Sequence, residues 1–524
     1  MKKLLCIILI FMTMLTSGCV EKKVKSPTAR KYLVYNLGKL PPDLYMLNND
    51  NVREKDLLLT LFEGLVREDK NGKIIPAMAE TVSISKDKLQ YTFKLRKNIH
   101  FSDGTDIKAM DFVNFFRDIL LKKENVFEEQ LYCIFGAKDF SMGKVAFDKV
   151  AIVRKDDSTL EIRLNKPNDY FLSMLSNPVF TLRENNMNMK NWKNNYGEIK
   201  YSGPFIIKKI NKNGEILLLK NEKYWRVDEI KSSEMLFTSI KDEEKALADF
   251  ETTQYSGASK IDVFVSPPIS EVNSLTTENK TEVIPSQSIY YLNFNLKTRN
   301  SIDINLNFRN AISAIIDREL IIQTISKDLA VPTINYTPFN NSGKLIFDTC
   351  RNKIKGLEYL GKSKYEKKQE LIMVYESENF ETKISKEIAK NIKEYLGVNV
   401  VCAGYTKDEL EKILKEGKYD IVFSKNDEEY EENYKFFSKW TSYSKDNIYG
   451  YKSSDYDKTI EKALLEKNDK TKIIIYNQAQ AILAKDLPCI PIYIGNTVIC
   501  KKENVKGIYT TKDGNLIFDY AYKD

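Results

Sequence analysis

One residue of the 524 is histidine, His100, and three are tryptophan. A single imidazole excludes a histidine-rich chelate for a transition metal. It also confines any Ser-His-Asp relay to His100, which stands at a strand end before Phe101, with no partners announced by the sequence. No G-x-S-x-G, H-E-x-x-H or phosphate-loop pattern occurs. His100 is therefore expected at the surface or in packing, and no catalytic residue, metal or cofactor is assigned. Seven cysteines are scattered. Cys6 falls in an N-terminal leader and Cys19 at its end, leaving Cys133, Cys350, Cys402, Cys489 and Cys500. Their odd number, wide spacing and lack of C-x-x-C exclude a zinc site and a dense disulfide framework. Buried free thiols are expected; one disulfide could form in an exported protein, but spacing does not name its pair. Internal repeats, low-complexity tracts and a basic stripe with interleaved aromatics are also lacking, which argues against nucleic acid as a partner.

What is present describes a soluble, multi-domain chain. Its length exceeds one ordinary core, so two or three domains are expected. Hydrophobic residues make up 42% and charged residues 29%, with Lys and Glu interspersed as on a solvated mixed-charge surface. The formal charge is +8, of which Lys2 and Lys3 contribute two, leaving +6 on a mature form. Those two lysines precede an apolar run, Leu4 to Leu15, of signal-peptide length and too short to span a bilayer. The run ends in Leu15-Thr16-Ser17-Gly18-Cys19, which resembles a bacterial lipoprotein box with Thr16 where an aliphatic residue is usual. Residues 1–18 are read as signal peptide and 19–30 as a lipidated, Lys-rich tether, anchored through Cys19 without a transmembrane helix. A plain secretory leader is the alternative.

Hydrophobic periodicity gives the elements. Lys31 to Tyr35 reads as a strand and Asp56 to Leu65 as a helix. Gln90 to Arg96 alternates in the manner of a half-buried strand. Ser102-Asp103-Gly104 is a tight turn in which glycine takes positive φ, and Phe112, Val113, Phe116, Ile119 and Leu120 then recur at helical spacing. A strand at Thr159 to Leu164, a hairpin around Gly214 and an apolar strand at Ile261 to Val265 follow. The second half alternates: strand Leu371 to Tyr375, helix Lys383 to Leu396 stopped by Gly397, strand Val398 to Cys402, helix Lys407 to Leu414, strand Tyr419 to Phe423. Such alternation predicts an α/β fold with a largely parallel sheet whose binding crevices lie beyond the strand C-termini.

The ordered set of local motifs carries more. Phe62-Glu63-Gly64-Leu65, Pro76-Ala77-Met78-Ala79-Glu80 and the strand, turn and helix after them resemble the signature of the extracytoplasmic solute-binding proteins of the peptide/nickel ABC-transporter class (family 5), closest to the oligopeptide-binding members. Ser202-Gly203-Pro204-Phe205 with Asn221 to Trp225, Tyr290 to Asn295 with Phe308 to Ile312 and Asp317-Arg318, Tyr336-Thr337-Pro338, Tyr419-Asp420-Ile421, Tyr451-Lys452-Ser453 and Leu487 to Tyr493 match further landmarks in order, across essentially the whole mature chain. The resemblance implies a two-lobed, periplasmic-binding-protein-like α/β fold with mixed sheets, flanking helices and a hinge. Residues 31–60, 186–285 and 500–524 would form a discontinuous lobe I, 61–185 an extra domain and 286–499 lobe II.

The same resemblance implies the site. A peptide's α-ammonium buried between lobes needs a carboxylate, because an unpaired buried charge is strongly unfavourable. Family members supply it from a W-x-A-D-Y loop after the Tyr-Asp strand. Counting from Asp420, the matching residues are Asn426, Asp427, Glu428, Glu429 and Tyr430. Glu429 falls on the anchoring position with Asp427 as its substitute, or the stretch is a solvated acidic loop. Asn426 replaces the tryptophan, which would widen a side-chain pocket or make it more polar. Tyr290 and Tyr291 fall on the interlobe strand, where alternation sends one to the ligand and one to the core. Trp440 and Tyr443 are pocket-wall candidates by position, with core packing the commoner fate of such residues, and Trp225 reads as a structural plug.

The function implied is a lipid-anchored, monomeric, non-enzymatic substrate-binding component of an ABC importer. It would capture an oligopeptide outside the cell membrane and deliver it to the permease and ATPase subunits. The alternatives are a specialised receptor for a signalling peptide or other solute, and a surface lipoprotein or adhesin not coupled to transport. An exported hydrolase would need a base other than a lone His100.

Overall fold

The computed structural model describes residues 32–45, 52–121, 127–184, 187–252, 261–297, 304–325, 329–339, 351–366, 370–377, 379–426, 433–466 and 468–524. The leader, Cys19, Cys350, Asp427, Glu429 and Tyr430 lie outside these residues.

Two strands organise the molecule. Thr281–Phe294 and Cys489–Lys501 lie antiparallel at the centre of an eleven-stranded sheet, and each runs through both of its halves. Their pairing comes in two blocks. Thr281 to Pro285 opposes Cys500 to Asn496, and Ile289 to Asn293 opposes Ile494 to Cys489, with a register shift between Pro285 and Ile289. Pro285 has no N–H to give to a ladder, so the break falls where the sequence cannot sustain continuous pairing.

On one side of the break the sheet continues through Val263–Val265, Leu33–Asn36, Glu234–Thr238 and the hairpin Phe205–Ile210/Ile216–Lys220. On the other it continues through Ile421–Asn426, Glu370–Glu376 and Asn399–Tyr405, mutually parallel and joined by the helices Asn379–Leu396 and Lys407–Glu416. This is the alternation read from the sequence. Gly397 takes φ +70° to end the first of those helices, and Thr406 and Glu409 form a reciprocal cap at the start of the second. The two halves have separate cores: Leu292, Phe308, Ile312, Ile388 and Ile421 belong to one on the second half, Leu33, Tyr35, Leu218 and Phe237 to one on the first.

The first core extends into a four-stranded antiparallel sheet, ordered Ala79–Ile84, Gln90–Leu95, Thr159–Arg163, Ile152–Asp156. Tyr91, Phe93 and Leu95 face inward and Lys94 outward, as alternation requires. Helix Ala109–Leu121 buries Phe112, Val113, Phe115, Phe116, Ile119 and Leu120, each worth about 1.5–3 kcal/mol if fully removed from water. Gly104 in the preceding turn has φ +86°. His100 Nδ1 stands 3.0 Å from Asp106 Oδ1, tying the two ends of that turn together.

One helix differs from its expected bounds. It spans Val52–Leu61, not Asp56 to Leu65. The backbone groups that would prolong it are taken by the Ser202-Gly203 segment: Gly203 N–H donates to Leu61 O at 2.9 Å and Glu63 N–H to Ser202 Oγ at 3.1 Å. Beside this junction lies a buried charge network. Glu63 accepts from Arg67 at 2.9 Å and from the Tyr224 hydroxyl at 2.6 Å, and Asp519 accepts from Arg67 and Arg226, both at 2.6 Å. Trp225 packs under the Arg96 guanidinium at 4.1 Å, the plug expected of it.

Asp169 connects the small sheet to the second half of the large one. Its carboxylate accepts from Lys88 at 2.9 Å and from Lys472, on helix Asp469–Asp486, at 2.7 Å. Burial pushes this carboxyl up, but the two ammonium groups outweigh it and hold the pKa below the ordinary value. Its stabilising contribution is therefore present above the unfolded-state pKa and lost as pH falls through the lowered one. The bridge is more than a third exposed at Asp169, so Asp169→Asn is expected to change stability by less than about 1 kcal/mol in urea denaturation.

Candidate functional site

Register alone locates a cleft. Leu33–Asn36 is parallel to Glu234–Thr238 and to Val263–Val265, and Val265 opposes Ile499 while Val263 opposes Lys501. The C-terminal ends of these strands therefore point towards the register break. In the other half, Asn426 opposes Ile289 while Ile421 opposes Phe294, so the C-terminal ends of that parallel set point at the same line from the opposite side. Open parallel sheets bind ligands beyond their strand C-termini, and here two such edges face each other.

The first edge carries a crevice of about 330 Å³. Asn36 builds its rim. Its Oδ1 accepts from Ile240 N–H at 2.8 Å and from Thr238 Oγ1 at 3.1 Å, and its Nδ2 donates to Ile240 O at 2.9 Å, locking two strand ends together. Arg53 and Lys241 add cationic lining, and Arg53 is held by Asp56 at 3.1 Å and by Gly514 O at 2.7 Å. Nothing in the local sequence marks these residues as a group, because strands far apart in the chain bring them together.

The second edge carries Asn426, Tyr290 and Tyr291 of the residues read from the sequence. Asn426 ends its strand, half-buried, and Asp427, Glu429 and Tyr430 lie outside the described residues. Tyr290 and Tyr291 do lie on opposite faces. Tyr291 is 1% exposed, and its hydroxyl donates to Tyr336 O at 2.8 Å. It is a core residue, which corrects its inclusion among ligand contacts. Tyr290 is half-buried and stacks on Tyr493, with ring centroids 4.2 Å apart, and on Phe423 at 5.8 Å. Trp440 is also core, stacked on Tyr449 at 5.5 Å, whereas Tyr443 is exposed.

Burial pushes the Cys133 and Cys500 thiols up to about 12 and raises that of Cys489 well above the ordinary thiol value, which suppresses the nucleophilic thiolate. All four described cysteines are free thiols. Among the described residues no group of three or more His, Cys, Asp or Glu is placed to hold a metal ion.

Two α/β lobes, joined by a strand pair and presenting opposed strand ends across one cleft, define a two-lobed binding protein of the periplasmic type. The description of the bacterial extracellular solute-binding proteins, family 5 Middle, matches residues 73–448, and the chain belongs to that family. It is 26% identical over 482 residues to the dipeptide-binding protein DppE of Bacillus subtilis (strain 168), covering 89% of this chain and 87% of that one. Its fold is similar to that of the Escherichia coli murein tripeptide binding protein MppA, with a TM-score of 0.77 and 24% identity over 94% of this chain and 99% of that one. It is similar too to the substrate-binding domain of an oligopeptide ABC transporter from Bacillus anthracis str. Ames, with a TM-score of 0.73 and 21% identity over 94% and 100%.

Proposed function

We propose that this protein is the lipid-anchored substrate-binding component of an ABC importer, capturing oligopeptides between its lobes and delivering them to the membrane permease. The observation that carries the reading is the convergence of both parallel strand edges on the register break of the two linking strands, in a chain of this family. Rotation about that break would close the cleft, and a ligand touching both lobes would stabilise the closed state. The break also supports a division into lobe I (31–60, 186–285, 500–524), extra domain (61–185) and lobe II (286–499). Anchoring rests on Cys19 in its lipoprotein-like box.

Glu429 is the proposed partner of the peptide's α-ammonium. Its support is positional: it lies three residues beyond Asn426, the last residue of a strand that ends at the cleft. Glu429→Gln is expected to weaken peptide binding about 10- to 100-fold, the worth of one hydrogen bond to a charged group, without loss of fold. Calorimetric titration with a peptide and with its N-acetylated form checks this. Unchanged affinity of the variant would transfer the role to Asp427, and indifference to the acetyl cap would remove amine capture.

Mass spectrometry of what co-purifies with the chain beginning after Cys19 tests the function itself. A ladder of short peptides with mixed side chains supports a general receptor. A single species would favour the second reading, a specialist, for which the observation is Asn426 in place of the family's tryptophan.

A further inference from the structure

The two halves of the molecule also meet away from the strands that join them. Asp169 belongs to the small-sheet side: the Tyr91 hydroxyl donates to the neighbouring Asn168 O at 3.1 Å, and Tyr170 and Phe171 pack on the first core. Lys472 lies in the first turn of helix Asp469–Asp486, which buries Ile475, Tyr476, Ala479 and Leu483 in a core of the second half. Those two cores share no described residue. Yet Lys472 Nζ stands 2.7 Å from Asp169 Oδ2, with only 19% of the lysine side chain exposed. A looser pair has the same polarity, Glu129 on the small-sheet side 3.9 Å from Lys445 on the other, both largely exposed.

Rotation about the register break would separate these pairs while leaving the cores intact. The chemistry of Asp169 suits repeated making and breaking. Its other partner, Lys88 at 2.9 Å, precedes strand Gln90–Leu95 on the same side of the molecule and stays with it. Opening therefore trades one of two ammonium partners for water and never strands a bare carboxylate. A fully buried pair with no such second partner would cost several kcal/mol to part and would lock the halves together. A partly exposed pair contributes no more than about 1 kcal/mol, enough to bias an equilibrium without fixing it. Neither Asp169 nor Lys472 lines the crevice at the first strand edge, so the pair acts on closure and not on a ligand held there.

We infer that Asp169 and Lys472 form a reversible latch that favours the closed state, with Lys88 keeping Asp169 compensated when the latch is open. Its role rests on the peptide-binding reading above. The latch adds the same increment to the affinity of every ligand, because a ligand that selects the closed state gains whatever else stabilises that state. It also makes that affinity sensitive to salt, since an ion pair in partial contact with water is screened.

The test combines two readouts on the wild type, Lys472→Met, Lys472→Glu and the charge swap Asp169→Lys with Lys472→Glu, after urea denaturation has verified that each folds. In calorimetric titration with alanine peptides of two to five residues, Lys472→Met is expected to weaken every peptide about three- to fivefold, the upper range for a partly exposed pair. The factor should be the same for each peptide, shrink in about 1 M salt, and be recovered in the charge swap. In small-angle scattering without peptide at low salt, Lys472→Glu is expected to show a larger radius of gyration than the wild type, and the charge swap to reverse it. Unchanged affinities with matching radii overturn the latch and leave peptide binding standing. A loss confined to one peptide would put Lys472 in the ligand site and overturn the latch as well. A wild-type chain that takes up none of the peptides overturns the peptide-binding reading, and the scattering comparison alone then decides the latch.

Discussion

Asp519→Asn is expected to destabilise the chain by about 3–5 kcal/mol, the range found when one partner of a buried ion pair is removed. Asp519 has 3% of its side chain exposed and receives both Arg67 and Arg226 at 2.6 Å, each of them 10% exposed. Asparagine would leave two guanidinium groups buried with Glu63 at 2.9 Å and Glu229 at 3.2 Å as their remaining carboxylates. Desolvation of the arginines persists while half of their compensation is lost. Urea denaturation followed by tryptophan fluorescence reads the effect, and Trp225, 5.0 Å from the Arg226 guanidinium, reports locally on the network. A change as small as that expected for Asp169→Asn would mean that water reaches these arginines and screens them.

Gly203→Ala should destabilise by about 3 kcal/mol, at the upper end of what overpacking ordinarily does. A Cβ at this position would sit 2.5 Å from Phe62 N, 2.6 Å from Leu61 C and 2.8 Å from Leu61 O, all backbone atoms that no rotamer change can move. Retreat would pull apart the Gly203 N–H to Leu61 O bond and the 2.8 Å bond from Asn221 Nδ2 to Gly203 O. The same denaturation experiment measures it. A stability within 0.5 kcal/mol or so of wild type, the ordinary range for a harmless surface change, would show that the helix end can shift.

These two positions show what the sequence motifs encode. Glu63 belongs to one landmark of the family signature and Gly203, Asn221 and Tyr224 to another, and all meet at one buried junction. Arg309 and Arg318, from another landmark, spend their donors on the carbonyls of Ile304, Asp486, Leu487 and Pro491. Such residues are legible because they clamp backbone, which constrains residue type and spacing together. The fold could accordingly be read from periodicity, turns and landmark order.

The site was less legible. Strand alternation separated Tyr290 from Tyr291 but could not say which face was core, because both faces of this sheet are covered. Asn36 and Arg53 line the crevice of the first edge because elements remote in sequence converge there. The early end of helix Val52–Leu61 was hidden for the same reason: its terminator is Gly203.

The placement of Cys489–Lys501 has a consequence for synthesis. This strand, later in the sequence than every other strand of the sheet, inserts at its centre between Thr281–Phe294 and Val263–Val265. The network around Arg67 waits longer still, because Asp519 is 452 residues downstream, and Lys523 reaches back 261 residues to pair with Asp262 at 3.0 Å. Contacts of such separation form slowly, since a large loop must close before any of them is gained. Neither half of the sheet can complete itself on a nascent chain. Closure of the sheet and of this network is thereby postponed until these distant segments are available.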